Sequence, residues 1–375
     1  MPGSVYSSLA HRLASYEGEV YPFHIGDTWM EPAVGARMED LSVREHPGMH
    51  RYAPVQGRRD LLDAIAARTE ARTGTATGID NVLVTAGATG ALGAVVGALV
   101  EPGDEVLLLA PYWPLIAGIV SSFRAHPISV PFFRGVDSPV DSPETAVEAV
   151  RRFKSDRTVA LYLSTPNNPS GRVMPRRWIE ALVAWAQSEN LWILADDVYE
   201  DYVFTGEHVY TRPFAPESTF SIHSFSKAYG MAGNRCGYAV GPADLMSEVR
   251  KVSTHTFYST PTAAQIAALN AMEGPGQQWI DAAREQYRQT GRRAAKRLGV
   301  EPPEGSTFLF LDLAEVLDEG DLESFLSKAV DHGLLAAPGP SFGPYPTHIR
   351  ICYTAAPPDV TLRGVEVLAD LLEKR

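Results

Sequence analysis

Residues 81–114, NVLVTAGATGALGAVVGALVEPGDEVLLLAPYWP, leave few folds open to this chain. VLVT reads as a short apolar strand, and Gly87, Gly90 and Gly93 then open an apolar helix. A Pro-Gly turn closes that helix, and EVLLLA follows as a second apolar strand. Strand, helix and strand in this order make a βαβ crossover. The chain is therefore of the α/β class, with a mostly parallel sheet sandwiched by helices. At the start of the helix, the backbone amides of Ala88 and Thr89 with the Thr89 hydroxyl form a candidate cradle for a phosphate, because helix N-termini attract anions.

A second stretch, SFSKAYGMAGNRCGYAVG at 224–241, holds candidate chemistry. Phe220, Ile222 and Phe225 ahead of it alternate like a strand entering a core, and a Ser-Lys pair then meets turn glycines. A lysine at such a strand end is partly desolvated, which disfavours the ammonium form and frees a neutral amine to attack a carbonyl. Lys227 is therefore the candidate Schiff-base lysine. The other five of the six lysines, Lys154, Lys251, Lys296, Lys328 and Lys374, lie in charged, helix-like or terminal settings. Ser224 and Ser226 flank Lys227 with hydroxyls, and Arg235, with no obvious acidic partner nearby in sequence, completes a second candidate phosphate contact.

Other candidates stand where strands end. Asp196 closes the apolar run 191–195, and a carboxylate buried there needs a cationic partner, since an unpaired buried charge costs several kcal/mol. Its neighbour Asp197 is the bland alternative, since one of the two acids reads as merely solvated or capping. Trp113, in APYWP, ends a strand at the edge where open α/β sheets bind ligands, and it serves either as core or as a stacking surface. Asn168 follows a buried-looking strand, and Pro169 with Gly171 turns the chain there. Arg350 lies mid-strand in HIRICY among apolar neighbours, so its guanidinium needs a carboxylate, internal or bound.

Together these motifs resemble the class I/II pyridoxal-phosphate aminotransferases, the aspartate aminotransferase superfamily of fold type I. The glycine turn, Trp113, Asn168, Asp196, Tyr199, Ser224, Lys227, Arg235 and Arg350 occur in the family's order, and the likeness covers nearly the whole chain. The resemblance implies a homodimeric aminotransferase that uses pyridoxal 5′-phosphate to move an amino group from an L-amino acid to a 2-oxo acid in ping-pong fashion. Lys227 would hold the cofactor and then act as base and acid. Asp196 would keep the ring nitrogen protonated, Tyr199 and Asn168 would tune the phenolic oxygen, and Trp113 would stack on the ring. Gly87, Ala88, Thr89, Ser224, Ser226 and Arg235 would anchor the phosphate.

Arg350 and Asn168 would hold the substrate carboxylate. Gly26 would bring backbone close to the substrate, or is a plain turn glycine. YAPVQG resembles the family's YxxxxG element, so Tyr52 would reach the phosphate of the neighbouring subunit; a core or turn tyrosine is the competing reading. The same site can serve a carbon–sulfur lyase, which is the alternative function.

Other readings are weaker. GATGALG fits the GxxGxxG of short-chain nicotinamide dehydrogenases, but no tyrosine here precedes a lysine by four residues as those enzymes require. GPSFG spells a hydrolase GxSxG, but prolines follow where a helix is needed, and it reads as the family's PGxxFG loop. A formal charge of −12 argues against a nucleic-acid face or a polybasic membrane contact. Cys236 and Cys352 lie outside any CxxC pattern, and Pro47 with Gly48 breaks the helix on which His46 and His50 could share a metal, so no metal is assigned. No apolar run reaches membrane-spanning length, so a cytoplasmic protein acting on small molecules is the default.

Length allows more than one domain in 375 residues. Residues 1–45 read as an N-terminal segment belonging to a small domain, 46–273 as the large cofactor-binding domain, and 274–375 as the small α+β domain. A helix over 4–16, with Val5, Leu9 and Leu13 on one face, and a last helix over 360–374 stand at the two ends.

Overall fold

The computed structural model describes residues 7–133, 140–317 and 321–373. Helices α1 (Ser7–Ala14) and α2 (Arg59–Thr73) precede the first strand. Val5 and Lys374, placed at the ends of the first and last helices, lie outside the described residues. The crossover read from the sequence follows as β1 (Val82–Thr85), α3 (Gly87–Leu99) and β2 (Glu105–Ala110). Then come α4 (Leu115–Ser122), β3 (His126–Pro131), α5 (Pro143–Arg151), β4 (Thr158–Ser164), α6 (Arg176–Ser188) and β5 (Trp192–Asp196). The large sheet is completed by β6 (Thr219–Ser224), the one-turn helix α7 (Phe225–Ala228) and β7 (Gly237–Val240), followed by α8 (Ala243–Thr256) and α9 (Thr262–Glu273).

These strands form one seven-stranded sheet in the order β1-β7-β6-β5-β4-β2-β3. All neighbouring pairs are parallel except those of β7, which runs against both β1 and β6. β1 and β2 point the same way, as the crossover demands, yet β7, β6, β5 and β4 lie between them. Helices α3, α4 and α8 bury their apolar sides on one sheet face, and α5 and α6 on the other. Helices α2 and α9 close the β1–β7 end. Strand β2 stops at Ala110, so Trp113 stands in the turn into α4 rather than on the strand.

The remaining elements are α10 (Gly276–Leu298), β8 (Phe308–Asp312), α11 (Leu322–Val330), β9 (Ala337–Pro338), β10 (His348–Cys352) and α12 (Pro358–Glu373). Their strands make a separate antiparallel sheet in the order β8-β10-β9. Tyr21 and Phe23 enter the core behind it, and Leu13 of α1 packs on Val330 and Leu335.

A clasp joins the two sheets. The Gly171 carbonyl accepts from the Glu304 amide at 3.0 Å and the Gly305 amide at 2.9 Å, while Glu304 pairs with Arg172 at 3.0 Å. A side chain at Gly171 would lie 2.8 Å from the Phe308 carbonyl, and its φ of +70° is the left-handed conformation glycine accepts without strain.

Candidate active site

The carboxyl ends of β5 and β6 and the amino end of α3 open into a cavity of about 330 Å³, whose far wall includes His24, Gly26 and Arg350. Lys227 reaches it from α7. Ser224 starts that helix by accepting the Ser226 amide at 3.0 Å, which turns the chain just where β6 ends. The Lys227 ammonium donates to the Gly26 carbonyl. Burial pulls its pKa below that of an ordinary lysine, with Asp27 acting in the opposite sense.

The backbone around Lys227 is braced from beneath. Tyr202 donates its hydroxyl to the Lys227 carbonyl at 2.9 Å. Arg72 of α2 pairs with Glu200 at 2.9 Å and Asp201 at 2.7 Å, and His223 meets Glu200 at 3.0 Å. This buried charge cluster fixes the loop that carries Tyr199 and Tyr202.

Asp196 is the last residue of β5 and is buried. Its Oδ2 accepts from the Tyr162 hydroxyl at 2.6 Å and its Oδ1 from the Val198 amide at 3.3 Å. Among the described residues no ion pair reaches it, and burial pushes its carboxyl up to about 6 from an ordinary 3.8, against the opposing pull of the Tyr162 hydrogen bond. The cation demanded by the sequence is thus left to a ligand. Asp197 departs from expectation: it is neither solvated nor a cap but fully buried, with Oδ1 3.1 Å from Nε2 of His208. The reason is that the chain dives under β6 at this point, where the Asp197 amide donates to the Ile222 carbonyl at 2.9 Å.

Gly87 has φ +71°, and a Cβ on it would stand 2.5 Å from Arg235 Nη2. Arg235 itself has φ +52° and is held by the Ala232 carbonyl at 2.9 Å. Helix α3 has no side-chain cap, so the amides of its first turn look for an acceptor elsewhere. Ala88, Thr89, Ser224, Ser226 and Arg235 line the cavity around this helix start, a donor set suited to a phosphate.

Opposite them, Arg350 donates to Asn168 Oδ1 at 3.1 Å and to the His24 carbonyl at 2.7 Å. Its guanidinium lies over the rings of Phe308 at 4.3 Å and Phe342 at 5.0 Å. Tyr199 packs edge-on against Phe308 at 5.6 Å, and burial raises its pKa above that of a free phenol. Trp113 also lines the cavity.

Tyr52 does not join the others within one chain. It is 86% exposed and packs edge-on against Tyr258, with ring centroids 5.2 Å apart. Conversely, His24, Leu92, Leu115, Val198 and Phe342 face the cavity although nothing in the sequence pattern marks them as site residues, with one exception. Phe342 has a signal in its FG dipeptide; the others look like ordinary core or turn positions. Tyr162 has one too, as a phenol in an apolar strand, whose hydroxyl must find a partner once buried.

A buried lysine of weakened basicity, a buried acid that no ion pair reaches among the described residues and the uncapped start of α3 thus meet at one edge of the sheet. The chain belongs to the aminotransferase class I and II family, whose model matches residues 20–367. It is 32% identical to an arginine–pyruvate transaminase of Pseudomonas aeruginosa over 89% of this chain and 85% of that protein. It is 34% identical to a methionine aminotransferase of Escherichia coli over 84% and 83%. Among solved structures, Thermus thermophilus aspartate aminotransferase with maleate superposes at a TM-score of 0.87, with 27% identity over 99% of this chain and 97% of that one. N-succinyldiaminopimelate aminotransferase from Mycobacterium tuberculosis superposes at 0.88, with 27% identity over 98% and 97%.

Proposed function

We propose that this cavity holds pyridoxal 5′-phosphate and that the transaminase runs in two half-reactions on small-molecule amino and 2-oxo acids. The observation that carries the cofactor reading is Asp196, a buried acid that no ion pair reaches among the described residues, in the same cavity as a lysine of lowered pKa. When bound, the cofactor supplies an electron sink for the bond that breaks at the substrate Cα.

The chain supplies the rest. Lys227 would hold the cofactor through its amine, and its free Nζ would carry the proton of the substrate Cα. Asp196 would keep the ring nitrogen protonated, Tyr199 and Asn168 would donate toward the phenolic oxygen, and Trp113 would stack on the ring. Gly87, Ala88, Thr89, Ser224, Ser226 and Arg235 hold the phosphate, and Arg350 with Asn168 orients the substrate carboxylate beside Gly26. Tyr52, exposed in one chain, is offered to the phosphate of a second subunit in a homodimer. Residues 46–273 serve as the cofactor domain and 1–45 with 274–375 as the small one. Among the described residues no helix is long and apolar enough to cross a membrane, and a cytoplasmic location fits.

The test is uptake of the cofactor by cofactor-free protein. A visible absorbance band is expected, and borohydride reduction followed by peptide mapping should place the label on Lys227. Oxo acid formation should stop when no acceptor oxo acid is present. A protein that stays colourless overturns the cofactor reading, and steady release of ammonia and pyruvate without an acceptor overturns the transfer reading.

A further inference from the structure

Behind Asp196 stands a buried phenol, that of Tyr162. It lies in the middle of β4, in register with Leu194 and so two residues back from Asp196 on the neighbouring strand. Strand residues two apart share a face, so Tyr162, Leu194 and Asp196 all point to the side covered by α3 and α4. From there the phenol reaches forward to Asp196 Oδ2 at 2.6 Å. Ser164, in register with Asp196, lies on that face as well. Tyr162 is not part of the cavity wall, so its hydroxyl acts on Asp196 and not on a ligand.

We propose that Tyr162 is a positioning residue: it holds Asp196 ionised and oriented toward the cavity, and thereby sets how tightly the ring nitrogen of the cofactor is gripped. This rests on the reading of Asp196 as that nitrogen's partner. The physical case is the environment. A buried carboxylate resists charge, and a donor to its oxygen favours the charged form, so the hydroxyl and the burial oppose one another. The Val198 amide, at 3.3 Å, is too long to take over. The other ionisable groups facing this carboxylate are Asp197 next in the chain, His223 of β6 and Tyr199, with Lys227, Arg235, Arg350 and His24 in the cavity wall. A protonated Asp196 no longer forms an ion pair with a protonated ring nitrogen.

The experiment titrates cofactor-free protein with pyridoxal 5′-phosphate, followed by intrinsic fluorescence between about pH 5 and about pH 9, for wild type, Y162F, D196N and the double variant. Y162F is expected to weaken binding about tenfold at neutral pH, the effect of one hydrogen bond to a charged group, and to move the acid limb of the affinity curve to higher pH. Added to D196N, the same change is expected to alter affinity by less than about twofold. Wild-type affinity and an unmoved acid limb in Y162F would overturn the proposal, as would an equal loss in the D196N background. A lower melting temperature with unchanged binding also overturns it, since packing alone would then account for Tyr162. If Y162F does not fold, 3-fluorotyrosine placed at 162 provides a stronger donor of nearly the same shape. It is expected to move the acid limb to lower pH, and an unmoved limb overturns the idea. Failure of the wild type itself to bind removes the cofactor reading and this one with it, whereas normal wild-type binding with an unaltered Y162F removes this one alone.

Discussion

The two walls of the cavity are built in different ways. On one side Asp196 and Ser224 close adjacent strands, with Gly87 and Lys227 just beyond strand ends of the same sheet. On the other, Arg350, Asn168 and the His24 carbonyl meet although 182 and 326 residues separate Arg350 from its two partners. The first wall is fixed by the hydrogen-bonded sheet itself. The second exists only where the small sheet packs against the large one. On the proposed reading the fixed wall grips the cofactor and the assembled wall grips the substrate, so damage to each should show in a different constant.

The largest effect is expected from Lys227→Ala, which removes from the fixed wall the amine proposed to transfer the proton. Turnover should fall by roughly 10⁴-fold or more, measured as single-turnover oxo acid formation. Arg350→Ala attacks the assembled wall. Removing a buried charged partner should lower kcat/KM by roughly 100- to 1,000-fold, while the dissociation constant of the cofactor stays close to wild type. A parallel loss of cofactor would break the division between the walls.

Asp196→Asn sharpens it through pH. Because burial raises the carboxyl from 3.8 to about 6, the native state holds more protons than the unfolded chain between those values. Stability from this group is therefore present below the lower value and lost as pH rises through the upper one. Cofactor-free Asp196→Asn should be more stable than wild type above that range by about 3 kcal/mol, with the difference vanishing near about pH 4, as read by denaturant melts. Its cofactor affinity should fall at the same time. The smallest effect is expected from Tyr52→Phe, which should weaken cofactor binding about tenfold by loss of one hydrogen bond to an anionic phosphate, and only under conditions where the protein is dimeric by sedimentation.

The fixed wall was largely legible in the chain because its parts are local. A strand, a glycine-rich turn and a helix start are written in consecutive residues, and so is the Ser-Lys turn. What the sequence could not convey was adjacency. Tyr162 and Asp196 meet because β4 and β5 are neighbours in a particular register, and β1 and β2 are separated because four other strands enter between them. Neither fact has a local cause. Asp197 misled for the same reason: its burial depends on the path under β6 and on His208, eleven residues on. His24, Leu92 and Leu115 became visible only once the helices were placed, since apolar and turn residues look alike whether they face a core or a cavity.

The clasp at Gly171 has a mechanical corollary. Its carbonyl is tied to the strand entry at 304–305, in the chain that continues into the sheet carrying Arg350, and the turn it belongs to also carries Asn168. The same turn is also tied to the large sheet, where the Thr165 amide donates to the Asp196 carbonyl at 3.3 Å and the Asn167 side chain to the Pro111 carbonyl at 3.0 Å. The clasp therefore pins the sheet that carries Arg350 to the frame that carries Lys227 and Asp196, and a swing of the small sheet would have to break it before the 3.1 Å contact between Asn168 and Arg350 could open.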